Sequence, residues 1–271
     1  MASLRFKQVD VFTKVPFQGN PVAVVIGAEG LDTGAMQRIA NWTNLSETTF
    51  LLKSAVADYK LRIFTPRMEL PFAGHPTIGS AYAAFESGFI ARKGKFTQEC
   101  GAGVLDLLTE EGRIFVKGPA GQIEPVEPIP GIDAVAPRNV HIGPVWTVAE
   151  MRDARALAAL RPDMGRLADW TNKVGAGGVT LFAPSDDCVA EIQVRSFAPA
   201  HGIPEDPVCG SGNISVAAYL RHTGNPLFRS SYVARQGAQC GRDGRVFMRV
   251  EGEAIWLGGD AVTCVDGTIG A

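Results

Sequence analysis

The chain has 271 residues, 46% of them hydrophobic and 20% charged, with a formal net charge of −2. That length suits one large domain or two ordinary ones, and the apolar content is ample for buried cores. A near-neutral balance with no long run of one sign lacks the basic face that nucleic-acid binding needs, and no apolar stretch reaches the roughly 18 residues of a membrane span.

Taken in order, residues 4–12 read as a strand and 13–21 as a Gly/Pro turn, Pro16-Phe17-Gln18-Gly19-Asn20-Pro21. Val22-Ala23-Val24-Val25-Ile26 is a second strand, apolar enough to be covered on both faces. Asp32 or Thr33 caps a helix running to about Trp42, with Met36, Ile39 and Ala40 at helical spacing. Strands are predicted over Glu47–Leu52 and 58–64. A helix follows over 76–87, with Pro76 at its first position, where a missing N–H costs nothing. Its faces are all small or apolar, so it is enclosed on most sides. Strands at about 95–100, 103–109 and 112–117 close the first half. The Pro- and Gly-rich stretch Gly118 to Gly131 reads as a linker. Val145 to Arg161 begins as a strand and becomes a helix; strands near 178–183 and 188–197 follow. A second apolar helix spans about Asn213 to His222. Strands near 230–236, 245–250, 254–257 and 261–265 end the chain.

The two apolar helices share an entry. Pro71-Phe72-Ala73-Gly74-His75-Pro76-Thr77-Ile78 precedes the first, and Pro207-Val208-Cys209-Gly210-Ser211-Gly212-Asn213-Ile214 the second, at an offset of 136 residues. Upstream, Arg62-Ile63-Phe64-Thr65-Pro66 is echoed by Arg195-Ser196-Phe197-Ala198-Pro199. Two echoes in one order predict two copies of one structural unit. Gly210 and Gly212 permit a tight turn and close backbone approach to a ligand. A helix start carries outward N–H groups and partial positive charge, a ready seat for a carboxylate or phosphate.

Chemistry-bearing residues gather at these entries. Glu47 lies in a run of Leu, Ser, Thr and Phe. Partial burial there raises a carboxyl pKa and suits a proton shuttle; the alternative is an edge-strand glutamate in water. His75 is a hydrogen-bond donor or proton relay, or else a satisfied turn histidine. Asp206 either orients a substrate ammonium or hydroxyl or makes an Asx turn before Pro207. Ser211 adds a hydroxyl. Cys209 adds a thiol, or is a small core cysteine. Arg67, Arg195 and Arg235 have the fork that clamps a carboxylate, although surface roles fit each as well. Five cysteines, at 100, 188, 209, 240 and 264, are scattered without Cys-x-x-Cys spacing, and Met-Ala-Ser-Leu-Arg-Phe-Lys lacks a signal-peptide core. Both point to reduced thiols in a cytoplasmic protein. The four histidines show no paired metal-ligand spacing.

These stretches, with Asp10–Thr13, Phe17–Val25, Asn44–Phe50, Glu205–Gly212, Gln236-Gly237, Gly241-Arg242 and Gly258-Gly259, resemble the PhzF family of phenazine-biosynthesis-like isomerases. The resemblance implies an α+β chain with the diaminopimelate epimerase-like fold: two similar domains, each a curved sheet or barrel wrapped around a central helix. It places residues 1–120 with 259–271 in one half and 125–258 in the other, with the active site in the cleft between them. It implies a cofactor-free isomerase, without metal, acting on a small cyclic amino or hydroxy carboxylate. Glu47 falls on the family's acid/base glutamate; His75, Asp206 and Ser211 fall on active-site positions. Gly74, Pro76, Cys209, Gly210 and Gly212 would line the substrate. A homodimer is expected, with neither nucleic acid nor membrane as partner. Related epimerases use one thiol per half, and here Cys209 is matched by Ala73. An epimerase pairing Cys209 with Glu47 or His75 is one alternative, and a binding protein without turnover is another.

Overall fold

The computed structural model describes residues 3–119 and 121–270. It divides into two compact units, one of residues up to Lys117 together with those from Gly258 on, the other Gly118–Leu257. The expected limits at residues 1, 120 and 271 lie outside the described residues.

In the first unit, β1 (Ser3–Val11), β2 (Asn20–Ile26), β3 (Thr48–Leu52), β4 (Tyr59–Phe64) and β5 (Glu69–Leu70) are followed by β6 (Lys95–Cys100), β7 (Gly103–Glu110) and β8 (Arg113–Gly118). Helix α1 (Thr33–Thr43) joins β2 to β3, and α2 (Gly74–Glu86) joins β5 to β6. β2 and β3 are parallel, as a helical crossover allows, and β4 is parallel to β6; the other printed pairs in this unit are antiparallel.

Eleven of the 13 residues of α2 are buried, so the sheet curls around it. Gly79 permits the closest approach: a Cβ there would stand 2.5 Å from Val22 Cγ1 and 2.8 Å from Val11 Cγ2. The other face of the sheet is covered by α1. There Val25, Met36, Ala40, Phe50 and Phe64 pack together, with the two phenyl rings edge to face at 5.5 Å. Both faces of β2 are therefore dry, which accounts for its unbroken apolar run.

The second unit repeats this order. After β9 (Gln122–Pro125) come β10 (Ala134–His141), β11 (Val145–Met151), β12 (Gly178–Pro184), β13 (Ile192–Ala198), β14 (Ile203–Asp206), β15 (Ser231–Gln236), β16 (Gly244–Glu251) and β17 (Ala254–Gly259). Helices α3 (Ala154–Ala159) and α4 (Met164–Lys173) replace α1, and α5 (Gly210–Thr223) takes the place of α2. β11 and β12 are parallel, β12 and β13 antiparallel, β13 and β15 parallel, as in their counterparts. Leu157, Leu167 and Trp170 of α3 and α4 cover one sheet face over Val179, Leu181 and Phe197. Ten of the 14 residues of α5 are buried.

The strand β18 (Ala261–Gly270) pairs antiparallel with β1 in the first unit. Lys7, 2% exposed, lies 2.6 Å from Asp266 and 2.8 Å from Glu86, fastening β18 and α2 to β1.

Several expectations change. Gly118 to Gly131 is not a loose linker: β9 pairs with β10, and Ile129 enters the second unit's core. α2 starts at Gly74 rather than Pro76, and α5 at Gly210 rather than Asn213. His75 and Ser211 thus belong to the first helical turn. Pro76 is the third helical residue, still within the turn whose N–H groups have no intrahelical acceptor. Glu47 stands just ahead of β3 rather than within it.

Candidate active site

In the first unit, α1 ends on Asn44 in the left-handed conformation, φ 54°, and the chain reverses toward β3. Glu47 is held by its backbone, whose carbonyl accepts from Ala23 N at 3.3 Å. Next to it the Thr43 and Thr48 hydroxyls meet at 2.6 Å. Its side chain is 15% exposed as a whole, yet Oε2 itself is buried. Burial pushes the Glu47 carboxyl up to about 7, against a smaller pull downward from the Ser46 hydroxyl. Near pH 7 both protonation states are populated, which a group that must take and return a proton needs.

The partner is His75, whose Nε2 stands 3.2 Å from Glu47 Oε2. His75 is buried, in the first turn of α2, behind Ala73, a cap that offers no side-chain bond. The same helix start carries Gly74 and Pro76. One turn further, Thr77 accepts from Gln98 Nε2 at 3.2 Å, and Tyr59 donates to Gln98 Oε1 at 2.8 Å. These bonds fix the rotation of the helix that presents His75.

In the second unit, Asp206 ends β14 and its Oδ1 accepts from Val208 N at 3.1 Å, so the Asx turn is present. Cys209 caps α5, its Sγ accepting from Gly212 N at 3.3 Å. Gly212 has no room for a side chain: a Cβ would meet Ser196 Oγ and Thr180 Oγ1, each at 2.7 Å. Burial, then the charge of Asp206, pushes the Cys209 thiol well above the ordinary cysteine range. It is therefore a neutral thiol at physiological pH, the state that suits a cap and not a base. Ser211 Oγ lies 3.6 Å from Cys209 Sγ and accepts from Trp146 Nε1 at 2.9 Å.

Gln236 ties this entry together. Its Oε1 accepts from Cys209 N and Asn213 Nδ2, and its Nε2 donates to Asp206 O at 2.9 Å. Gln236 was visible only as part of a Gln-Gly pair, and Trp146, 65 residues from Ser211, gave no signal.

The arginines are not carboxylate clamps. Arg195, 3% exposed, forks onto Glu205 at 2.9 and 2.8 Å and donates to the Leu157 and Leu160 carbonyls. Arg235 is committed to Asp187 and Asp243, each at 2.8 Å. Arg67 is exposed. The Arg195 clamp explains the echoed motif: Arg62 forks onto Glu69 at 2.7 and 2.7 Å, and each arginine lies over the phenylalanine two residues on, Phe64 and Phe197. Each pair fastens the short strand that leads into a central helix.

Within each unit, then, the expected residues converge at one helix start: Glu47, His75, Gly74 and Pro76 at α2, and Asp206, Cys209, Gly210, Ser211 and Gly212 at α5. Known proteins carry the same pattern. The family model described as phenazine biosynthesis-like protein, PhzC-PhzF, matches residues 9–117 and 131–267. The chain is 38% identical to antisense-enhancing sequence 1 of Schizosaccharomyces pombe, over 98% of this chain and 99% of that protein. It is 34% identical to the trans-2,3-dihydro-3-hydroxyanthranilate isomerase of Pseudomonas fluorescens, over 96% and 97%. The crystal structure of a PhzF-family phenazine biosynthesis protein from Bacillus anthracis superposes with a TM-score of 0.89 at 25% identity, covering both chains fully. With the model matched in both units and the duplicated sheet around each helix, the chain belongs to the PhzF family of phenazine-biosynthesis-like isomerases, with the diaminopimelate epimerase-like fold.

Proposed function

We propose that this chain is a cofactor-independent isomerase that shifts a proton on a small cyclic amino or hydroxy carboxylate, with Glu47 as its acid/base. The observation that carries the reading is the buried Glu47 carboxyl, pushed up to about 7, with His75 Nε2 at 3.2 Å. The Glu47 carboxylate takes a proton from a carbon next to an activating group. The electron pair moves through the conjugated system, and the resulting carboxylic acid returns the proton at another carbon. Nothing is oxidised or reduced, so the balance closes without a cofactor.

His75 holds or relays the proton in transit. Asp206 and Ser211 serve the same substrate, with Gly74, Pro76, Cys209, Gly210 and Gly212 lining it and the first turns of α2 and α5 favouring its anionic group. The dihydro-hydroxyanthranilate type named for the Pseudomonas relatives is the first compound to try. We also propose a homodimer, which sedimentation of the purified protein checks.

The test is deuterium uptake in heavy water, followed by NMR with no cofactor added, on trans-2,3-dihydro-3-hydroxyanthranilate and related cyclic carboxylates. Deuterium entering a substrate C–H with the unaltered protein and not with Glu47→Gln is the expected result. Uptake that persists in Glu47→Gln removes Glu47 from the role, and no uptake across the series removes the isomerase reading.

A further inference from the structure

The strand registers place one position of each unit in direct correspondence. Phe50 pairs with Arg62 across β3 and β4, and Leu181 with Arg195 across β12 and β13. Counting back from these pairs, Glu47 corresponds to Gly178. Across β2 and β3, Ala23 pairs with Thr48, and across β11 and β12, Thr147 pairs with Val179. By the same count Val22 corresponds to Trp146. His75 and Ser211 already correspond. Where the first unit has a carboxylate beside its histidine, the second has a glycine, and a Cβ on Gly178 would stand 2.5 Å from the Trp146 ring. The missing side chain makes the space in which the buried indole reaches Ser211.

An indole N–H donates and cannot accept, whereas an ionised carboxylate accepts and cannot donate. Trp146 Nε1 donates to Ser211 Oγ at 2.9 Å; Ser211 Oγ lies 3.6 Å from Cys209 Sγ; the Cys209 thiol is hydrogen-bonded in turn to Asp206. A donor-only group at one end and an acceptor-only group at the other orient both hydroxyl and thiol in one sense, toward Asp206. Hydrogen bonds in such a series polarise one another.

We propose that Trp146 is a positioning residue: by donating to Ser211 Oγ it turns the Ser211 hydroxyl into a donor, so that Ser211 reads a carboxylate or carbonyl oxygen of the ligand while Asp206 reads a neighbouring ammonium or hydroxyl. This rests on the reading above that Ser211 and Asp206 touch the substrate, and it narrows the substrate class. The ligand presents an acceptor oxygen and a donor close together, as an amino or hydroxy carboxylate does. On ligand binding the Ser211 proton leaves the Cys209 sulfur for the ligand oxygen; no covalent bond forms or breaks.

The experiment compares two probes by calorimetry: 3-hydroxyanthranilate, and 2-aminophenol, which has the same ring without the carboxylate. The unaltered protein binds the carboxylate compound more tightly. Trp146→Phe and Ser211→Ala each weaken that compound about tenfold, the worth of one charge-assisted hydrogen bond, and leave 2-aminophenol nearly unchanged. The double variant is no weaker than either single one, because Trp146 acts only through Ser211. A merely structural tryptophan would weaken both probes, and its loss would multiply with that of Ser211. Either of those results overturns the proposal, as does Trp146→Phe binding like the unaltered protein, or an unaltered protein that fails to distinguish the probes.

A second measurement does not depend on Trp146→Phe folding. In protein labelled with 15N at its indoles, the Trp146 N–H resonance should move in Ser211→Ala and again when 3-hydroxyanthranilate is added to the unaltered protein. A resonance that ignores both sinks the idea. Glu47→Gln separates this proposal from the functional one. If the probe selectivity and its Trp146 dependence are found but no protein exchanges deuterium, the isomerase reading fails and the Trp146 assignment stands.

Discussion

The two units are copies in topology and differ where chemistry is done. At α2, a histidine in the first helical turn faces a buried glutamate whose carboxyl is pushed up to about 7. At α5, the corresponding serine faces an indole, and the corresponding strand position is a glycine. Only the first arrangement contains a group that takes a proton from carbon near neutral pH. A racemase working from both faces of one carbon needs such a group in each copy. Duplication with one copy stripped of its base suits an enzyme in which a single group removes and returns the proton. The stripped copy is then available for recognition.

The largest effect that tests this asymmetry is kinetic. Glu47→Gln keeps the size of the side chain and removes its proton transfer, and we expect deuterium uptake to fall about a thousandfold, within the usual span for a general acid/base. His75→Gln should fall less, since Glu47 remains. Equal activity of Glu47→Gln and the unaltered protein would break the comparison at its centre.

The duplicated arginine clamps sharpen it on the side of stability. Arg195 and Glu205 have side chains 4% and 14% exposed, and Arg62 and Glu69 have side chains 21% and 39% exposed. Arg195→Met strands a buried carboxylate and leaves the Leu157 and Leu160 carbonyls without their donor, a loss of about 3–5 kcal/mol. Arg62→Met should cost about 1 kcal/mol or less, and less again in high salt. Urea unfolding of the two variants, at low and high salt, measures both. Equal losses would mean that burial does not distinguish the two clamps.

How much of this was legible follows from which signals are local. The central helices were readable because their small apolar residues fill every face, and the Gly/Pro entries mark where each begins. Their true first residues were not, because the caps are Ala73 and Cys209, neither of which belongs to the usual oxygen-bearing capping set. β10 was missed because Pro137 interrupts it; the strand tolerates the proline through a register shift between Val135 and Arg138, with Ala136 at φ 46°. α4 was missed although Asp163 caps it and Leu167 and Trp170 are spaced three apart, because its remaining positions are polar. Glu47, His75, Asp206 and Ser211 were found through their family pattern. The Arg-x-Phe echo was seen, but its reason lies in partners 7 and 10 residues away on other strands. Trp146 had no local signal at all, since its role depends on a glycine 32 positions further on and a serine in another element.

Holding Glu47 out of water has a cost that pH makes visible. Its folded-state pKa, about 7, lies above the ordinary 4.5, so the folded state favours the protonated form. The stability contributed by that form is complete below about pH 4.5 and is lost as pH rises through about 7. Above that, the unaltered protein bears a penalty on the order of 3 kcal/mol that Glu47→Gln does not. We therefore expect the inactive variant to melt higher than the unaltered protein at pH 8 and the difference to close by pH 4.5. A difference that does not change with pH would mean that Glu47 is not buried as a titrating acid.

The smallest expected effect closes off the two-thiol chemistry of related epimerases. Cys209→Ala removes the only thiol at either helix start, since the corresponding residue in the first unit is Ala73. If Cys209 were a base, deuterium uptake would collapse as it does in Glu47→Gln. The thiol is held neutral by burial and by the charge of Asp206, and its sulfur is already an acceptor for Gly212 N. Its loss should then show as a cap deletion, about 1 kcal/mol of stability, with uptake within about threefold of the unaltered protein. Cys209→Ser, which restores a capping acceptor and a hydrogen-bond donor toward Asp206 without a thiolate within reach, should recover most of that stability. Recovery of stability together with full turnover assigns Cys209 to the architecture of α5. A serine variant that is stable but inactive would assign it to the chemistry instead, and would place a second proton-transfer group in the unit that has no equivalent of Glu47.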